Sequence, residues 1–123
     1  MMYQPTQLDT VASELTHAAI SDLAHRASIE INVQDVPQLE ASHALLGAGR
    51  RMYISHLPRQ TWEASIAACR AVRDAGYEPI PHIPVRLLSD ERFSDDLLAQ
   101  MADAGAREAL LLAGDYPQAA GPY

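Results

Sequence analysis

Residues 75–85, AGYEPIPHIPV, run a helix-ending Ala-Gly straight into a strand-like segment, and the same join occurs twice more. Ala48-Gly49 precedes RRMYISHL and Ala104-Gly105 precedes AREALLLAG, so Gly49, Gly76 and Gly105 recur at intervals of 27 and 29 residues. That interval is the length of one strand-plus-helix unit. A further strand, SIEINV at 28–33, makes four strands joined by three helices. Serial βα units predict an α/β fold with a parallel sheet, and such a sheet places its chemistry where the strands end.

Upstream of these units, residues 10–26 carry Val11, Leu15, Ala19 and Leu23 in steps of four, a helical stripe closed by His25 and Arg26. This N-terminal extension, 1–27, is expected to cover one end of the sheet, with the βα array occupying 28–123. The first inter-strand helix is expected to start at Asp35 as N-cap, to carry Pro37 in its first turn and to end at Gly49. The second follows Pro58 with Thr61 as cap. For the third, Ser94 is the expected cap, with Phe93 and Leu98 at hydrophobic-staple spacing and Asp95 and Asp96 in the first turn.

The composition bounds the class of partner. At 123 residues, 48% hydrophobic and 20% charged, the chain is one globular domain. A net charge of −7 argues against nucleic acid or an anionic membrane surface as partner. All nine basic residues are Arg, so no Lys can form a Schiff base or clamp a phosphate. The one cysteine, Cys69, excludes an intrachain disulfide and a Cys-based zinc site, and its helical, apolar setting predicts a buried structural thiol. No apolar run spans a bilayer and no signal peptide opens the chain, so a cytoplasmic protein is expected.

The polar residues at the strand ends are the candidate chemistry. In SIEINV, Ile29, Ile31 and Val33 alternate with Ser28, Glu30 and Asn32. A polar face of this kind fits the mouth of a barrel, or equally an edge strand with one solvated face. The second strand ends in Ser55-His56. The third sets His82 among Pro79, Pro81 and Pro84, which predicts an irregular strand pinned at its end, or a proline-rich edge. The fourth ends in Gly114-Asp115, where glycine permits close approach by a ligand and the carboxylate stands at a catalytic position. His17, His25 and His43 fall on helix patterns. No HxH or HExxH occurs, so no metal site is expected, and Gly47 and Gly49 end a helix instead of opening one, which rejects a dinucleotide fingerprint.

With SIEINV, MYISHLP, PHIPVR and LLLAGDYP in that order and spacing, the stretch from Ser28 to Tyr123 resembles the first half of methylenetetrahydrofolate reductase, a flavin-dependent (βα)8-barrel enzyme of one-carbon metabolism. The resemblance implies a TIM-type barrel, here incomplete with about four strands, FAD as cofactor, NAD(P)H as candidate electron donor and a folate-type substrate. It implies that Glu30 is the general acid and that Asp115 lies beside flavin and pterin. It further implies that His82 and Ser55 border the flavin. A glutamate desolvated at a barrel mouth can donate a proton near neutrality. Ile31-Asn32-Val33 replaces the family's aromatic-and-proline run, which marks a divergent branch. An open four-stranded half would leave two bare edges, so a second half-barrel or self-association is expected to complete it. Two other readings stand beside this one: a truncated, non-catalytic paralogue acting as a binding or assembly subunit, and an acid–base barrel enzyme using Glu30 and Asp115 as a carboxylate pair.

Overall fold

Strand residues alternate faces, and here one set, Ile29, Ile31, Met52, Ile54 and Ile83, packs into the two clusters that form the hydrophobic core. The computed structural model describes residues 2–123. In chain order it runs α1 (Gln7–Arg26), β1 (Ile29–Ile31), a 3-10 turn (Val33–Gln38), α2 (Leu39–Leu46), β2 (Arg51–Ile54), α3 (Trp62–Asp74), β3 (Glu78–Pro84), a second 3-10 turn (Val85–Leu87), α4 (Glu91–Asp103) and β4 (Leu110–Leu112). The four strands form one sheet in the order β1-β2-β3-β4, every pairing parallel. The α/β array expected from the Ala-Gly joins is therefore present as four strands and three connecting helices.

The core lies between the sheet and α2, α3 and α4. Met52 and Ile54 meet Leu39, Ala68, Cys69, Val72 and Tyr77 in one cluster. Ile83 meets Leu88, Leu97 and Met101 in the other. Cys69 is fully buried, as its setting predicted, and burial pushes its thiol up to about 11. Tyr77 stays wholly inside because its hydroxyl lies 2.9 Å from Ser42 Oγ. Helices α3 and α4 end alike: the amide after the glycine reaches five residues back, Tyr77 N to Val72 O and Ala106 N to Met101 O. Gly105, at φ +102, supplies the left-handed turn that this closure needs.

Several local expectations are corrected. The helix over 10–26 forms, from Gln7, but covers no end of the sheet. None of its residues is buried, and Val11, Leu15 and Leu23 are exposed. A capping box at Thr6 and Asp9 starts it, and the Arg50 guanidinium fastens its far end by donating to Ala24 O and Ala27 O at 2.6 and 3.0 Å. Asp35 is not an N-cap. Asn32 caps the 3-10 turn, and Asp35 reaches back to the Asn32 amide at 2.9 Å. Helix α2 stops at Leu46, with Gly47 as its cap instead of Gly49. Thr61 caps α3 as expected. Asp90, not Ser94, caps α4, which puts Glu91 in the first turn in place of Asp95 and Asp96.

Strand β3 is neither an edge nor irregular. It is the longest strand, and it lies between β2 and β4. Glu78 N donates to Arg50 O at 2.9 Å, so amides at even positions face β2, and those at 79, 81 and 83 face β4. Pairing with β4 begins only at His82. The donors that Pro79 and Pro81 lack therefore point to the stretch where β3 has no β4 neighbour, and no ladder bond is lost.

Candidate functional site

The face of the sheet turned away from α2, α3 and α4 carries the polar strand residues, in tiers set by the register. At the strand starts, Arg51 on β2 reaches past β3 to Glu108, ahead of β4, at 2.6 Å. The next tier aligns Glu30 with Tyr53 and Tyr53 with Ile80. Continuing the ladder from Ile54 and Pro81 sets Ser55 level with His82 in the last tier. Arg51 also lies over the Tyr53 ring, 6.0 Å from its centroid.

Within this face Ser55 Oγ donates to Glu30 Oε1 at 2.5 Å. The bond is charge-assisted and fixes one carboxylate oxygen, leaving Oε2 free; Glu30 is otherwise exposed. His82 meets Tyr53 edge-on, with ring centroids 5.9 Å apart. Thus Glu30, Ser55 and His82, singled out from three different strands, share one face. Tyr53 bridges them as Glu30's registered neighbour and His82's ring partner.

Asp115 is set apart. It lines a cleft of about 370 Å³ at the ends of β2, β3 and β4 with His56, Pro84, Leu112 and Tyr116. No hydrogen bond or ion pair joins it to the other three among the described residues. Gly114 lets the chain itself pack closely here. A Cβ on it would stand 2.9 Å from the Tyr116 ring and 3.1 Å from Pro84 Cβ. Arg86 holds the same segment by donating to Tyr116 O at 2.8 Å.

The second wall of this cleft is a group that strand-end reasoning named without a role. His56 is partly buried and stacked on Trp62, centroids 4.1 Å apart and planes 28° from parallel. Its Nδ1 lies 2.8 Å from Ser65 Oγ, and Gln60 Nε2 donates to the same hydroxyl at 2.7 Å. Burial holds the His56 pKa below the usual histidine value. The alternation of Arg51, Tyr53 and Ser55 in RMYIS was the available signal for Arg51 and Tyr53. Nothing local in the sequence points to the His56–Ser65 contact, which joins a strand end to a helix.

The donor set suits a flat heterocycle better than a metal. Among the described residues no group of three His, Cys, Asp or Glu is placed to hold an ion. Tyr53, His82 and Ser55 offer one face for a flavin ring. For its phosphates, Arg51 and Arg86 are already committed, to Glu108 and to backbone carbonyls. Arg59, in the turn after β2 at φ +67, makes no hydrogen bond among the described residues and is available. Among those residues no helix is long and apolar enough to cross a membrane. No protein-family model matches the chain.

Proposed function

We propose that this chain is the first half of a TIM-type barrel in a flavin-dependent oxidoreductase of the methylenetetrahydrofolate reductase kind, working on a folate-type substrate with NAD(P)H as electron source. The observation that carries the reading is the Glu30–Ser55 pair: a carboxylate from the middle of β1 on the helix-free face, held by a hydroxyl at the end of the next strand. Tyr53 and His82 beside it give that face the mixed aromatic and polar character a flat ring needs.

Flavin, when bound, supplies the hydride transfer. Glu30 acts as general acid. Ser55 anchors Oε1, so the proton to be delivered resides on Oε2. Ser55 and His82 border the ring, Asp115 closes the β4 side and Arg59 takes a phosphate. A second half-barrel, or a second copy, covers the helix-free face and the β4 edge, where Leu111 is 63% exposed. That cover would exclude water from Glu30. Titrating the full chain with FAD, alone and with the second half of a family enzyme supplied, tests the reading by quenching of flavin fluorescence. Saturable binding in either arm supports it, and no binding in both overturns it.

One observation favours a second reading, that of a binding or assembly subunit. The apolar stripe of α1 lies bare, with Leu8 82% and Leu15 68% exposed. A defined oligomer by sedimentation, with no flavin affinity in either arm, would select this reading over the first.

A further inference from the structure

The cleft shared by His56 and Asp115 contains a hydrogen-bonded relay that the flavin reading does not use. Ser65 is buried, at 2% exposure. Its hydroxyl accepts from Gln60 Nε2 at 2.7 Å and lies 2.8 Å from His56 Nδ1. An amide NH2 only donates, so the hydroxyl's own proton is free to go to His56, and no other acceptor for it exists among the described residues. Nδ1 as acceptor puts the neutral ring's proton on Nε2, whereas the opposite tautomer would leave the buried Ser65 hydroxyl hydrogen without an acceptor. Stacking on Trp62 fixes the ring plane.

Nε2 has no hydrogen-bond partner among the described residues. No buried side-chain nitrogen among the described residues lacks a partner, so Nε2 is accessible. The opening that His56 lines is the cleft of about 370 Å³, whose other walls include Pro58, Pro84, Leu112 and Tyr116. Apart from the Asp115 carboxylate these walls are largely apolar, which suits a flat ring, and the polar requirement at His56 is fixed by the relay behind it.

We propose that His56 is a specificity-determining donor. Its Nε2–H hydrogen-bonds a carbonyl oxygen on a small ring bound in this cleft. The Gln60–Ser65 relay disfavours the imidazole's other tautomer, so a ring that offers a donor at that point binds more weakly. The proposal does not rest on the flavin reading, and it extends to any ring that presents an acceptor there.

The test uses the full chain, labelled with ¹⁵N, and two probes of similar size: benzamide, which offers a carbonyl, and aniline, which offers a donor. Long-range ¹H–¹⁵N spectra report the tautomer, and Trp62, the one tryptophan in the chain, reports the cleft by fluorescence. His56 is expected as the Nε2–H form. Benzamide is expected to shift its signals saturably, and aniline to bind about tenfold more weakly, the worth of one good hydrogen bond. Ser65→Ala should give a mixture of tautomers and bring the two probes near parity while benzamide still binds. Should that buried change prevent folding, Gln60→Met frees the Ser65 hydroxyl and asks the same question. An Nδ1–H ring in the unaltered chain, no saturable benzamide shift, or equal affinity for both probes overturns the proposal. A failed FAD titration leaves it standing.

Discussion

Glu30 shows how little of a site one residue contains. Its alternation with Ile29 and Ile31 places it on the polar face of β1, and that much is legible in six residues of sequence. Its partner is not. Ser55 reaches it only because β2 pairs with β1 in a particular register, and one residue of slip would turn every side chain of β2 to the other face. The same holds for His82 and Tyr53. Asp115 lies elsewhere because the turn at Gly114 carries the chain into the cleft of His56, and no spacing rule encodes that turn. Two outcomes belong to this scale. On the proposed flavin reading, Glu30→Gln keeps the Ser55 contact but removes the proton, so turnover of a folate-type substrate should fall about 10²–10⁴-fold while flavin reduction by NAD(P)H persists, as read by stopped-flow absorbance. His56 gives a pH signature. Its folded pKa is lowered from 6.5, so between that lowered value and 6.5 the unfolded chain binds more protons than the folded one. Stability from this group is complete above 6.5 and is lost as pH falls toward the folded value. Urea midpoints should therefore drop through that window, and His56→Gln should flatten the drop. Asp115 is the titratable neighbour across the cleft.

Elements were legible in kind and less so in extent. The Ala-Gly joins located three helix ends to within a few residues, since a left-handed glycine after a helix has few other uses. Helix starts were harder because competent caps are common. Asn32 and Asp35, or Asp90 and Ser94, both look like N-caps, and the choice falls to whichever residue completes a capping bond with the backbone. Strand β3 is the clearest case of a rule overridden by context. Its prolines suggested an edge, yet their missing donors point to the side where β4 has not begun. Ile80 differs from them in direction alone, since its amide faces β2 along a continuous ladder. Ile80→Pro should strand an acceptor on β2 and cost at least about 1–3 kcal/mol in urea denaturation, beyond any loss of packing.

At the scale of the molecule, stability resides in one layer of helices on one face of a sheet. Helix α1 stands outside that layer. Its periodicity predicted a helix correctly, but periodicity names no partner, and this helix buries nothing. Removing residues 2–26 should leave the cooperative unfolding of the sheet and its three helices nearly unchanged, within about 0.5 kcal/mol by urea titration, as for surface changes generally. A large loss would mean that α1 shields the core in a way its exposure contradicts. The prolines of β3 have a further consequence, in the order of synthesis. Until residues 110–112 leave the ribosome, β3 is the outer rail of a three-stranded sheet, open to any extended chain nearby. With no amide hydrogen at 79 or 81 on that rail, a stray strand finds only one donor, at Ile83, level with where β4 will dock. The nascent sheet thus reserves its growing edge for its own next strand.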